Sequence, residues 1–350
     1  MNEGLRSILA FPRSQSFGGA LYNALLYDAI EALGTPAHEY RRFAGRQRDA
    51  SLFHFHWPDR VFGGAAKVVD AMAAVGARRF LDTMKTFRDR ERPVVWTAHN
   101  ARPHDFRKPH HKALYEEIFA QFDTLVSGYI FLNRYSRDLF LTEHPNVSPE
   151  ACVVIPHMIT PITGRLPESC APPELRARPD GAGFLLSPGH IRRYKNLEAS
   201  IALFDRTKTA GQTFIIAGPA PDRAYADEIR AKIVGRNDIL MIVRELSDTE
   251  INWCYQNADA VLSLRSPEGN SGVLFSALSN NARVITRPGP VTSEITQQVG
   301  PGWLVEVSED DAQMAKAIQQ KPTAPPRLQW CHPTVVAQQH LNFMNALCSS

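Results

Sequence analysis

The chain has 350 residues, 44% of them apolar, with a formal charge of +3 and five cysteines. That length exceeds one ordinary hydrophobic core, and that apolar content excludes a disordered chain, so two α/β domains are expected. The cysteines (Cys152, Cys170, Cys254, Cys331, Cys348) are odd in number and scattered without a CxxC pair, which excludes a disulfide framework and reads as reduced thiols.

No charged segment followed by an apolar run opens the sequence, and no apolar run has membrane-spanning length. A cytoplasmic protein is expected. The positive excess lies in residues 1–160, with 20 Lys+Arg against 17 Asp+Glu; the remainder holds 19 against 19. Within that half, residues 78–112 carry 10 basic and 4 acidic residues plus His99, His104, His110 and His111. Such a stretch suits an anionic ligand or the inner face of a cell membrane, and equally a solvated helix followed by a loop.

In chain order, short apolar runs alternate with longer amphipathic ones, the pattern of parallel strands joined by crossover helices. Strands are expected at residues 7–11, 52–55, 94–97, within 125–132 and at 152–155. The first helix places Leu21, Leu25, Leu26, Ala29, Ile30 and Leu33 at helical spacing before Gly34 and Pro36 end it, and that stripe reads as its core face. Residues 158–183 turn to proline, glycine and polar residues, which continue neither a helix nor a central strand. Strands resume at 184–187, 214–217, 240–243, 260–264 and 284–286. A proline-rich stretch then precedes a last helix near 334–347. The expected domains are 1–160 (acceptor side), a linker at 161–182, and 183–325 (nucleotide side), with a helix in 326–350 that returns to the first domain.

The most informative segment is SPEGNSGVLFSALSNNARVI, residues 266–285, which follows a strand and opens a helix near Gly272 and Val273. Small residues there let backbone approach a ligand, and the free N–H groups of a helix start suit a diphosphate. Its Glu268, Gly269 and Gly272 resemble the donor motif of the retaining GT-B glycosyltransferase family that includes glycogen-synthase-like and sucrose-synthase-like enzymes. That family carries a second glutamate eight residues on; this chain has Ser276. A second segment, SPGHIRRYKN at 187–196, resembles the family's diphosphate loop and keeps Gly189 and Lys195 in register. The loop arginine is replaced by His190, so Arg192 or Arg193 is expected to supply the second cation. FIIAGPAPD, RELSDTEINWCYQNADAVLSL, GPVTSEI and GPGWLV follow in the family's order, with base recognition implied near Leu246.

In the first half, FPRSQSFGGALYNALLYDAI places Gly18 and Gly19 after the first strand, like the family's glycine loop. His56 in FHFHWPDR and His99 in WTAHN stand at strand C-terminal ends, where open parallel sheets bind ligands. His99 matches a family position near the transferred sugar. The HWP segment is similar to bacterial exopolysaccharide glycosyltransferases of the xanthan and acetan type. That likeness implies GDP-mannose as donor and a polyprenyl-diphosphate-linked or other glycan acceptor at the membrane face.

The resemblance thus implies an α/β protein of GT-B class, two Rossmann-like domains facing across a cleft, acting as a hexosyltransferase on a nucleotide-sugar co-substrate. Glu268 and His99 are the catalytic candidates, and Gly18, Gly19, Gly189, Arg192, Arg193, Lys195, Leu246, Gly269, Gly272, Val273 and Ser276 join Glu268 on the donor side. His56, Asp59 and Asp105 are acceptor-side candidates, with Asp28 a further possible base if configuration inverts. The sequence has no Asp-x-Asp and no zinc spacing, so no metal is expected. No nucleic-acid reader motif accompanies the basic stretch. Two other readings stay open: a nucleotide-sugar 2-epimerase, and a non-catalytic nucleotide-sugar-binding subunit of a glycosyltransferase complex.

Overall fold

A computed structural model describes residues 4–14, 21–41, 49–58, 70–99, 112–113, 116–117, 119–176, 182–265, 271–307, 311–320 and 322–349. Contacts divide the chain into two units: Met1–Met158 with Trp330–Ser350, and Ile159–Gln329.

In the first unit the strands are β1 (Ile8–Phe11), β2 (Ala37–Glu39), β3 (Leu52–Phe55), β4 (Val94–Ala98), β5 (Gly128–Phe131) and β6 (Cys152–Val154). They form a parallel sheet in the order β2-β1-β3-β4-β5-β6. The helices are α1 (Leu21–Ala32), α2 (Asp70–Asp89), α3 (Phe122–Leu125) and α4 (Arg134–Glu143). Asn133 caps α4 by accepting from Ser136 N at 2.7 Å. Because side chains alternate across a strand, Phe53, Phe55 and Trp96 pack on one face with Phe80, Phe87 and Phe122. Leu52 and Val95 face the other side, with Ile30 and Leu26 of α1.

Helix α1 forms where its spacing predicts, with Leu26 and Ile30 in the core and Leu25 and Ala29 packed against it, but its core face extends to other residues at the ends of the expected stripe. The buried residues are Tyr22, Asn23, Leu26, Tyr27 and Ile30, whereas Leu21 is 52% and Leu33 38% exposed. The tyrosines rotate inward because polar groups on the sheet beneath accept and donate to one of them, as described below.

The second unit repeats the architecture with β7 (Phe184–Pro188), β8 (Thr213–Ala217), β9 (Ile239–Ile242), β10 (Ala260–Ser263), β11 (Val284–Thr286) and β12 (Leu304–Glu306). Their order is β12-β11-β10-β7-β8-β9, all parallel. Its helices are α5 (Leu197–Thr207), α6 (Arg223–Lys232), α7 (Asp248–Asn257), α8 (Gly272–Ser279), α9 (Pro290–Val299) and α10 (Asp311–Gln319). A reciprocal capping box of Ser247 and Glu250 starts α7. The proline-rich segment after Met158 lies along this unit: Leu166 N donates to Gln256 at 2.8 Å and Arg165 to Asn257 at 3.0 Å.

The chain then returns to the first unit as α11 (Pro333–Ser349), whose Val336, Ala337, Leu341, Met344 and Cys348 join the α1 core. Gly128 makes room for it, since a Cβ there would lie 2.6 Å from Leu347 Cδ1 and 2.7 Å from Phe343 Cζ. Gly128→Ala is therefore expected to lower stability by about 1–3 kcal/mol, read as a reduced urea midpoint. No described helix is long and apolar enough to cross a membrane.

Candidate active site

In the second unit the site is built where β7 ends. Gly189 follows Pro188 with φ +88°, and a Cβ on it would sit 2.8 Å from Lys195 Nζ. Gly218, at the end of β8, has φ +148° and would place a Cβ 2.5 Å from the Gly189 carbonyl oxygen. Two side-chain-free positions thus stack so that the β7 loop closes over the lysine. A single 3₁₀ turn, Arg193–Lys195, then leads into α5.

Lys195 Nζ donates to the Pro188 carbonyl, and among the described residues no carboxylate pairs with it. Burial, with the added repulsion of Arg265, brings its ammonium down to about 7. A cation that no described carboxylate pairs with, held in a glycine-lined turn, suits an anion. Val273 at the start of α8 lies against the same loop, its Cγ2 3.9 Å from where a Gly189 Cβ would be. Ser271 caps that helix by accepting from Leu274 N. Among the described residues nothing lies within 4 Å of the position a Gly272 Cβ would take at the positive end of α8.

The structure therefore brings Gly189, Lys195 and Val273 together. Arg193 is directed elsewhere: its guanidinium grips Glu228, with one bond of 2.8 Å, and lies 3.9 Å from Asp222. Arg192 stands near enough to His190 to join burial and Lys195 in lowering the pKa of that imidazole. Arg265 is a cation that sequence reasoning missed. It follows β10 by two residues, its guanidinium lies 5.7 Å from the Tyr194 ring centre, and burial lowers its pKa. Its signal was position alone, since it stands at a strand C-terminal end.

Ser276 lies one turn into α8 beside Tyr255. Leu246 is half-buried in a loop braced by Arg244, which binds both Glu174 and Glu250. Those bonds raise the guanidinium pKa and hold the Glu250 carboxyl at about 2. Glu268 and Gly269 lie outside the described residues, as do Gly18, Gly19, Asp59 and Asp105. Asp28 is exposed on α1 and pairs with Arg13 at 3.3 Å.

In the first unit the sequence Leu52-Phe53-His54-Phe55-His56 turns its phenylalanines to one face of the sheet and its histidines to the other. Parallel pairing sets His54 against Val95, so Thr97 and His99 fall on the histidine face. Tyr27 Oη bridges His54 Nδ1 at 2.9 Å and His56 Nε2 at 2.8 Å. His54 Nε2 meets Thr97 Oγ1 at 2.8 Å, and His56 Nδ1 meets His99 Nε2 at 2.9 Å. All five side chains are buried, with His99 the most accessible at 7%. Burial first, and the neighbouring imidazoles second, hold His54 and His56 far below the ordinary imidazole range. Trp57 stacks on His99 at 4.2 Å and Tyr22 meets it edge-on at 4.9 Å. The Tyr22 hydroxyl has no hydrogen-bond partner among the described residues. Sequence reasoning singled out His56 and His99; it missed His54, Tyr27 and Thr97.

Two six-stranded parallel Rossmann-like sheets with this connectivity are the GT-B fold. Solved structures agree across nearly the whole chain. The catalytic domain of starch synthase IV from Arabidopsis thaliana, bound to ADP and acarbose, matches with a TM-score of 0.66 at 9% identity, covering 99% of this chain and 100% of that one. HepE of Anabaena in complex with UDP-glucose matches at 0.61 with 14% identity, covering 98% of each. AviGT4, a glycosyltransferase of avilamycin A biosynthesis, matches at 0.57 with 14% identity, covering 99% and 98%. No curated protein matches the chain. Residues 174–325 match the family model described as glycosyl transferases group 1. The chain thus has the GT-B fold, and most of its second unit is similar to the group 1 glycosyl transferases.

Proposed function

We propose that this enzyme binds a nucleoside diphosphate sugar through the second unit and transfers the sugar to a glycan or lipid-linked acceptor. The observation that carries the reading is the buried Lys195 ammonium, which no described carboxylate pairs with, beside Gly189 and the start of α8. In this reading Lys195 and the α8 N–H groups neutralise the departing diphosphate, aided by Arg265, which takes the part first expected of Arg192 or Arg193. Gly18, Gly19, Gly269 and Gly272 give backbone access, Leu246 marks the base loop, and Ser276 stands in for the motif's second carboxylate. Glu268 stabilises positive charge at the anomeric carbon, and His99 contacts the sugar. His56, Asp59 and Asp105 remain acceptor-side candidates. No metal takes part.

The donor we favour from the HWP likeness is GDP-mannose, with a polyprenyl-diphosphate-linked acceptor in exopolysaccharide synthesis at the inner membrane face. HepE was crystallised with UDP-glucose, so uridine is the base against which guanosine is judged. A thermal-shift series with UDP, GDP, ADP and TDP tests this, because a ligand bound only by the native state raises stability by RT ln(1 + [L]/Kd). One base is expected to shift the transition at concentrations where the others do not, and GDP is the expected one. A series without any shift would remove the donor-site reading, and a shift by UDP alone would remove GDP-mannose.

A further inference from the structure

We propose that the Tyr22 hydroxyl is a substrate contact, donating a hydrogen bond to an oxygen of the sugar carried by the nucleotide donor. The identity of that ligand rests on the reading above, in which His99 contacts the transferred sugar. The place of Tyr22 and its unmet hydrogen bond rest on the first unit alone.

In an open parallel sheet, ligands bind beyond the C-terminal strand ends, at the point where the strand order reverses and the flanking loops diverge to opposite faces. In the first unit the order β2-β1-β3-β4-β5-β6 reverses between β1 and β3. After β1, helix α1 packs over Leu52 and Val95; after β3, α2 packs on the opposite face with Phe53 and Phe55. Tyr22 stands in the first turn of α1, and His56 and Trp57 directly follow β3. The Tyr22 and His56 ring centres are 6.2 Å apart. His99, just past β4, lies 4.9 Å from the Tyr22 ring, and His157, three residues beyond β6, lies 4.8 Å from it. The same rule works in the second unit. There the order reverses between β7 and β10, and the two cations that repel one another, Lys195 and Arg265, follow those two strands.

Tyr22 is 5% exposed, yet its hydroxyl has no hydrogen-bond partner among the described residues. Asn23 and His340 of the same unit also have one buried atom unmatched, but each bonds through another, Asn23 to the Pro12 carbonyl and His340 to that of Val336. The hydroxyl is the only polar group the Tyr22 side chain has. Keeping it buried and unmatched costs the ligand-free protein stability, and phenylalanine would pack on the same rings without that cost. A group that weakens the free fold at a ligand-binding edge is accounted for by a partner that arrives with the ligand. Burial pushes the phenol pKa up, so the group stays protonated and offers a donor. A sugar hydroxyl or ring oxygen accepts from it, and among aromatic rings such a bond is stronger than in water.

Calorimetric titration of the full chain with a nucleotide sugar and with its parent diphosphate, UDP-glucose against UDP and GDP-mannose against GDP, isolates the sugar's share of binding. Tyr22→Phe keeps the ring beside His99 and His157 and removes only the hydroxyl. It is expected to weaken binding of the nucleotide sugar that wild type takes by about five- to tenfold, the range for one hydrogen bond. The parent diphosphate should stay within about twofold, and the urea midpoint should not fall. An unchanged affinity for the nucleotide sugar, or equal losses for nucleotide sugar and diphosphate, overturns the contact. So does a lowered urea midpoint, which would give the hydroxyl a partner within the free protein. Each of these results leaves the donor-site reading standing. A wild type that binds neither diphosphate removes that reading and the contact with it.

Discussion

Replacing Lys195 by methionine is expected to weaken nucleoside diphosphate binding about 10- to 100-fold at pH 7, the range for one charge-assisted hydrogen bond. The pH dependence distinguishes this lysine from a surface cation. In the free protein its ammonium is brought down from 10.5 to about 7, because it is buried beside Arg265 and no described carboxylate pairs with it. A bound diphosphate supplies the missing negative charge and raises that pKa. Binding above pH 7 therefore takes up a proton, and affinity falls as pH rises, by up to about tenfold per unit. Below about 6 a terminal phosphate begins to protonate, which sets a lower limit to the optimum.

Calorimetric titration in buffers of different ionisation enthalpy measures the proton uptake directly. Lys195→Met should abolish the uptake and flatten the profile above 7. Lys195→Arg should flatten it as well, since a guanidinium does not titrate in this range. Uptake that persists in Lys195→Met would assign the titrating group elsewhere.

The second large effect is expected for His99→Ala. In the proposed reading it removes a polar contact to the sugar, and kcat should fall about 10²- to 10³-fold, as when one preorganised polar group is lost from an active site. Nucleoside diphosphate affinity should stay within about twofold, because Lys195 and the start of α8 belong to the other unit. The same substitution leaves the buried His56 Nδ1 without its His99 partner. A stability loss of about 1–3 kcal/mol should accompany the kinetic one. Measuring both separates the roles: equal losses in kcat and nucleotide affinity would mean that His99 does not act on the transferred sugar.

The sheet strands were legible because parallel strands buried on both faces read as continuous apolar runs. The runs at 52–55 and 284–286 are β3 and β11 to the residue. The edge strands Ala37–Glu39 and Leu304–Glu306 were not, because each is partly exposed and ends on a glutamate, so neither shows a continuous apolar run. The two ends of the α1 stripe, Leu21 and Leu33, were misread for a different reason. Leucine spacing favoured Leu21 and Leu33, but Tyr27 is drawn inward by two histidines of β3 and its C-terminal edge. Tertiary hydrogen bonding overrode local apolar pattern.

The donor-side residues Gly189 and Lys195 were found because they lie in one short segment with a fixed spacing. Arg265 was missed because its partner in charge, Lys195, is 70 positions away. The buried histidine line was invisible for the same reason, since it joins residues 27, 54, 56, 97 and 99 from three elements and their edges. His56 and His99 could be noticed one at a time at strand ends; the contacts that join them through Tyr27 and His54 could not.

Because the first unit is completed by α11, the polypeptide interrupts one folding task to perform another. A ribosome exposes all of Ile159–Gln329 before it delivers the helix that covers Tyr27 and the α1 core. The usual order, in which the N-terminal domain matures first during synthesis, is inverted. The second unit can consolidate while the first still lacks a wall, and until Val336, Leu341 and Met344 arrive the face bearing His54 stays within reach of water and chaperones.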